Sequence, residues 1–132
     1  MTLDKKRKKS EKEVMSNLAR SGTSMEKLII AVGITGSRIT RDQTPYIPIL
    51  PEEIARSGIE SWKAGASVLH VHVRDPKTGL GTQDLSIFKE VVDRIRGETD
   101  ALLCLTTSGI PGRNLPIEER LQSRVETRIR FF

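Results

Sequence analysis

The chain has 132 residues, 22 lysines and arginines against 17 aspartates and glutamates, and 36% hydrophobic residues. That length suits one globular domain with a real core, and no apolar run approaches the roughly 20 residues of a membrane span or forms a secretory signal behind the basic N-terminus. A single cysteine, Cys104, excludes a disulfide framework and suits a reducing cytoplasm.

The net charge of +5 is unevenly placed. The first 27 residues carry eight basic and four acidic side chains, residues 121–132 carry three and one, and the body between carries eleven and twelve. The body therefore has no basic excess to track phosphates, which argues against a nucleic-acid partner. Residues 1–26, with the run Lys5-Lys6-Arg7-Lys8-Lys9, read as a basic, solvated arm.

Leu28-Ile29-Ile30-Ala31-Val32 is short, apolar and β-branched, and predicts a strand buried on both faces, as in parallel sheets. It leaves through Gly33-Ile34-Thr35-Gly36, too sparse in glycine for a dinucleotide fingerprint, into a long loop from Ser37 to Leu50. Pro51-Glu52-Glu53 opens a helix with proline at its first position and acids in the first turn. Ala55, Ile59 and Trp62 form its inward stripe, Gly58 implies close packing on a sheet, and Gly65 ends it. Ser67–Val73 predicts the second strand. Asp75-Pro76-Lys77-Thr78-Gly79 is a turn, and Asp84 is an N-cap for a helix from Leu85 to Arg96 that Gly97 stops. Ala101–Leu105 is the third buried strand, followed by the hydroxyl-rich turn Thr106-Thr107-Ser108-Gly109, and Pro116 opens a third helix. The order β-α-β-α-β-α, with strands 35–40 residues apart, is that of a parallel α/β unit.

The chemistry-bearing residues fall where α/β folds bind ligands, at the C-terminal ends of strands. Side chains two apart on a strand share a face. His70, His72 and Arg74 thus line one face, and Leu69, Val71 and Val73 the other. His70 and His72 are the only histidines. Two imidazoles on one strand face can reach one zinc ion; a hydrogen-bonded pair at the rim of the core fits the same spacing. Arg74 could hold a carboxylate or catalytic acid, or form a rim ion pair with Asp75 or a loop acid. Thr106, Thr107 and Ser108 could donate to a substrate oxyanion, or simply build the turn. Cys104 sits mid-strand with no histidine near it in sequence and reads as a core residue.

Ile34-Thr35-Gly36, Pro51-Glu52-Glu53-Ile54-Ala55, Ala64-Gly65-Ala66 through His70-Val71-His72-Val73-Arg74-Asp75, and the Thr-Thr-Ser-Gly turn together resemble the start of a β-keto acid cleavage enzyme, the family of 3-keto-5-aminohexanoate cleavage enzyme. The likeness runs from about Lys27 to Leu121. It implies a zinc-dependent (β/α)8 TIM barrel that converts a β-keto acid and acetyl-CoA to acetoacetate and a new acyl-CoA. Zinc would polarise the keto carbonyl and stabilise the enolate. The resemblance carries His70 and His72 over as metal ligands, with a later glutamate as the third. Thr106 matches a hydroxyl residue that helps hold the substrate. Arg74 is the second catalytic candidate, and Thr35, Arg38, Thr107 and Ser108 the substrate-binding ones. Arg38 stands where some members carry an acid near a substrate amine, so arginine argues for an anionic or neutral substrate. A cytoplasmic homo-oligomer with no membrane contact is implied for the full-length enzyme.

A (β/α)8 barrel needs about 200–250 residues, and three βα units are present. The expectation is therefore a partial barrel over 27–121, the N-terminal part of such an enzyme, inactive alone for want of the third ligand. Residues 122–132 depart from the family pattern and read as a divergent tail, either out of frame or a helix extending the Leu121, Val125, Ile129 stripe. The alternative function is a non-catalytic α/β module that assembles with a partner chain through open sheet edges.

Overall fold

The computed structural model describes residues 27–108, 112 and 114–126. The basic arm of residues 1–26 and positions 127–132 of the tail lie outside the described residues. The elements are β1 (Ala31–Gly33), α1 (Pro51–Lys63), β2 (Val68–Val71), β3 (Val73–Arg74), β4 (Gly81–Thr82), α2 (Leu85–Glu98), β5 (Leu102–Leu105) and α3 (Ile117–Glu126).

Strands β1, β2 and β5 form one parallel sheet with β2 in the middle. The register sets Val32, Leu69 and Leu103 side by side, and Gly33, His70 and Cys104 one position further. Because side chains alternate along a strand, these rows point to opposite faces. The Leu69 face is covered: Leu69, Val71, Leu103 and Leu105 pack with Ile54 and Ala55 of α1 and Phe88, Val91, Val92 and Ile95 of α2. Burying side chains of this size contributes about 1.5–3 kcal/mol each, so this one layer contact dominates the fold.

The other face is not covered by any described element, and here the expectation of strands buried on both faces is corrected. On that face Ala31 and Gly33 of β1 are exposed, and Leu102 of β5 is 60% exposed. Apolar runs alone do not say whether the second face of a sheet has a partner layer.

Helix α1 begins as its acidic first turn suggests, with one carboxylate making most of the contacts. Glu53 Oε2 accepts from the backbone N–H of Ile49 at 2.8 Å and of Leu50 at 3.0 Å, and from Arg41 Nη2 at 2.8 Å. The two backbone donors, then the side chain of Arg41, hold its pKa below the ordinary glutamate value. The end of the long 37–50 loop is thereby tied to the helix it feeds. A carboxyl with a lowered folded pKa stabilises the fold above its unfolded value near 4.5 and loses that contribution as pH falls through the folded value. Glu53→Gln should cost about 1 kcal/mol at pH 7, and the deficit should shrink in urea titrations repeated from pH 5 towards pH 3. A deficit independent of pH would contradict this charge-based cap.

Gly65 ends α1 with φ +111°, as expected. Gly58 is buried, and a Cβ there would lie 3.1 Å from Ile34 Cδ1, 3.2 Å from Ile95 Cδ1 and 3.4 Å from Leu69 Cδ1. Alanine would gain about 1 kcal/mol of helix propensity against this crowding, so Gly58→Ala should be near neutral. Gly58→Val should destabilise by about 1–3 kcal/mol through overpacking, measured by urea unfolding. Trp62 departs from the predicted inward stripe: it is only half-buried, its Nε1–H donating to Asp100 Oδ1 at 2.9 Å, while Ile54 lies fully buried beside Ala55.

Asp84 caps α2 as expected, accepting from Ser86 N at 2.8 Å and Ile87 N at 3.4 Å. Gly97 does not stop α2. The helix runs on to Glu98, and Thr99 closes it by donating to the Ile95 carbonyl from both N–H and Oγ1 at 2.9 Å. An α-helix tolerates one glycine near its end at modest cost. Helix α3 continues through residues 121 and 122 without a break.

The second strand is shorter than Ser67–Val73. It stops at Val71, and after His72 the chain starts a separate two-stranded antiparallel ribbon, Val73 against Thr82 and Arg74 against Gly81. Gly79 (φ +72°) turns the ribbon. The Asp75 carboxylate accepts from Lys77 N at 2.7 Å and Thr78 N at 3.0 Å. The ribbon places His72 at the break between two sheets, at the C-terminal end of the central parallel strand.

Candidate metal and substrate site

His70, the third residue of β2, points from the uncovered face; His72 follows one residue past the strand end. Their Nε2 atoms are 3.0 Å apart and their rings meet edge to face, with centroids 4.9 Å apart. Both side chains are half-buried. Burial, then the neighbouring His70 and Arg74, push the pKa of His72 down to about 4, so its imidazole is neutral at neutral pH, the form that binds metal. Two imidazole nitrogens aimed at one point from a rigid strand end fit two positions of a tetrahedral zinc site, whose ligand nitrogens lie about 2.0–2.1 Å from the ion. No third histidine, cysteine, aspartate or glutamate completes a three-ligand set among the described residues.

The other nitrogen of His70 is engaged too. Its Nδ1 is 3.3 Å from Cys104 Sγ on the neighbouring strand. No histidine is near Cys104 along the chain, yet the ladder sets it opposite His70, which corrects its reading as a plain core residue. The signal in the sequence is the alignment of strand onsets, which sets the two residues in one row.

Arg74 is fully buried. Its Nη1 donates to the Gly79 carbonyl at 2.8 Å, and its Nη2 to the carbonyls of Gly36 at 3.0 Å and Thr35 at 3.3 Å. Nε is buried without a partner among the described residues. The expected alternative, a rim ion pair with Asp75, does not form among the described residues: Asp75 is engaged by its own turn, and Arg74 has left the strand that carries the histidines.

Thr35 is buried beside the site, its Oγ1 donating to the His72 carbonyl at 3.2 Å. Thr106 is buried at the end of β5, where its N–H donates to the Val71 carbonyl at 3.0 Å. Its hydroxyl lies 2.9 Å from Ser108 Oγ and accepts from Ser108 N at 3.2 Å, which is turn chemistry. The Thr107 carbonyl accepts from Arg120 Nε at 2.6 Å, tying the turn to α3. Arg38 is exposed on the long loop. The strand ends thus gather His70, His72, Thr35, Arg74 and Cys104 into one connected group. Thr106 and Ser108 form a second, while Arg38 and Thr107 join neither histidine.

A parallel sheet layered with helices defines an α/β protein, and this one carries a histidine pair at the C-terminal end of its central strand. The chain belongs to the beta-keto acid cleavage enzyme family, whose model matches residues 27–131. It is 40% identical over 96 residues to 3,5-dioxohexanoate:acetyl-CoA acetone transferase of Paraburkholderia graminis, covering 73% of this chain and 30% of that one. It is 42% identical over 99 residues to 3-keto-5-aminohexanoate cleavage enzyme of Acetoanaerobium sticklandii, covering 74% and 35%. With 3-dehydrocarnitine:acetyl-CoA trimethylamine transferase of Rhizobium meliloti it shares 40% over 86 residues, 65% and 29%. The chain therefore spans about a third of the length of the curated relatives it matches. The apo structure of ObcA is similar over 59% of this chain and 19% of that one, at 26% identity and a TM-score of 0.51.

Proposed function

We propose that this chain carries the first three βα units of a (β/α)8 barrel and two of the metal ligands of a β-keto acid cleavage enzyme. The net reaction is β-keto acid plus acetyl-CoA giving acetoacetate plus an acyl-CoA. The observation that carries this reading is the 3.0 Å approach of two imidazole Nε2 atoms at the end of the central strand, in a chain of this family. Zinc held by His70 and His72 would polarise the keto carbonyl.

The chain's own residues set the rest. Thr35 and Arg74 fix the strand end: one hydroxyl holds the His72 carbonyl, and the guanidinium holds the carbonyls of Thr35 and Gly36. Nε of Arg74 has no partner among the described residues but is buried with the rest of the side chain, so Arg74 would serve the reaction by holding this strand end in place. Thr106, with Ser108 and Thr107, offers hydroxyls on the next strand end for a substrate oxygen. Arg38, exposed and cationic, favours an anionic or neutral side chain on the keto acid over an ammonium. The full-length enzyme would work in the cytoplasm as a homo-oligomer, with acetyl-CoA as co-substrate.

The test is a pair of measurements. Co2+ or Zn2+ titrated into the chain should bind, and the full-length protein that contains this sequence should form acetoacetate from a β-keto acid and acetyl-CoA. No turnover of any β-keto acid by the full-length protein would overturn the reaction; binding that survives loss of both histidines would overturn the site.

A second reading is favoured by the uncovered sheet face with Leu102 60% exposed. On it, the chain is an α/β module completed by a partner chain that supplies further βα units. Light scattering that finds a monomer with cooperative unfolding would count against it.

A further inference from the structure

We infer that Cys104 is a positioning residue for His70: its sulfur accepts the Nδ1–H of the imidazole and so keeps Nε2 bare and turned towards His72. The inference rests on the metal-site reading above for its functional meaning, and on geometry for its substance.

The pairing is built into the sheet rather than into a loop. His70 and Cys104 are register partners on adjacent parallel strands, and neighbouring residues of a ladder row put their side chains on the same face. Backbone bonds bracket them: Leu102 N donates to the Ser67 carbonyl and Thr106 N to the Val71 carbonyl, both at 3.0 Å. The 3.3 Å separation of Nδ1 and Sγ is therefore fixed by the strands on both sides.

A neutral imidazole carries one proton on its two nitrogens. The Nε2 of His70 faces the Nε2 of His72 at 3.0 Å, so one of that pair must donate to the other. If His70 keeps its proton on Nδ1, held by the thiol sulfur, His72 donates and the Nε2 of His70 is a ready lone pair. If the thiol instead donates to Nδ1, the proton of His70 sits on Nε2 and blocks the ligand position. Ligating histidines in metal sites give their second N–H to an outer acceptor, which fixes tautomer and ring orientation. Among the described residues, Cys104 Sγ is the group at hydrogen-bond distance from that nitrogen. The sulfur is a weak acceptor, so its value lies in orientation.

The experiment uses the 132-residue chain, native and with Cys104→Val or Cys104→Ser. Long-range 15N–1H correlation spectra of the metal-free protein read the His70 tautomer directly. The native chain and Cys104→Ser should hold the Nδ1–H form, since a hydroxyl also accepts. Cys104→Val should move His70 towards the Nε2–H form. An Nε2–H tautomer in the native chain, or no change in Cys104→Val, overturns the inference. Should the valine variant fail to fold, Cys104→Ala takes its place in the same comparison.

Zinc affinity, measured by competition with a chromophoric chelator, is the second readout. Cys104→Val should weaken it by about tenfold, as loss of an outer partner does, and Cys104→Ser should restore most of it. If the native chain binds no zinc, the metal reading fails while the tautomer spectra still decide the role of Cys104. If zinc binds and Cys104→Val binds it equally with an unchanged tautomer, the inference fails alone.

Discussion

Arg74→Met should destabilise the chain by about 2–3 kcal/mol, read as a lower urea midpoint at pH 7. The side chain is fully buried and its guanidinium serves three backbone carbonyls, those of Thr35, Gly36 and Gly79. The bond to the Thr35 carbonyl is buried and those to Gly36 and Gly79 are partly buried; a buried acceptor left without a donor costs about 1–3 kcal/mol, a partly buried one less. Methionine offers a similar volume and no donor. An opposing term exists: a buried cation with no carboxylate beside it carries a desolvation cost that methionine removes. Burial indeed pushes the pKa of Arg74 below the usual guanidinium value. The carbonyls decide the balance, because they come from two segments that no ladder joins directly, the exit of β1 and the β3–β4 turn. Losing the guanidinium unties both. Arg74→Lys should recover only part, since one ammonium cannot reproduce a planar fork aimed at three oxygens. A midpoint unmoved by Arg74→Met would mean that water replaces the guanidinium, and the residue would then be free for a substrate role.

The alternation of buried runs and amphipathic stretches makes the β-α-β-α-β-α order legible in the amino-acid sequence. Phe88, Val91, Val92 and Ile95 recur at helical spacing and are the buried face of α2. Local signals with one clear physical meaning also read correctly: Asp84 as a cap, Gly65 as a stop, Gly58 as a close approach. The features that escape the sequence depend on what lies across space. Val68 to Val73 is apolar at most positions, and nothing in it says that pairing with β1 and β5 ends at Val71 or that Val73 turns to Thr82 instead. Gly81 disfavours a strand by itself and Thr82 alone is too short a signal; the pair is a strand because it lies against β3. Arg74 differs for the same reason, since the break after His72 carries it off the strand of the histidines. The proximity of Cys104 to His70 needs register between residues 34 positions apart. The exposure of Leu102 reflects the absence of a second layer among the described residues, and hydrophobicity carries no information about that.

His70→Ala and His72→Ala should each abolish measurable Zn2+ or Co2+ binding, a loss well beyond the roughly 10–100-fold that even an outer partner controls. The two Nε2 atoms 3.0 Å apart are the only convergent pair of imidazole nitrogens in the chain, which has just two histidines. Either substitution leaves one nitrogen, and a single imidazole on a half-open strand end is a poor site for zinc, which takes four ligands. The variants should differ in acid. The folded chain holds the pKa of His72 at about 4, below its ordinary 6.5. The unfolded chain therefore takes up the proton first. The contribution of His72 to stability is complete above about pH 6.5 and is lost as pH falls towards 4. His72→Ala should flatten the urea midpoint across that window, whereas the response to Glu53 lies below pH 4.5 and should survive unchanged. A metal affinity that persists in either alanine variant would place the ion elsewhere. A pH response between 6.5 and 4 that persists in His72→Ala would mean that the proton balance of this strand end belongs to another group.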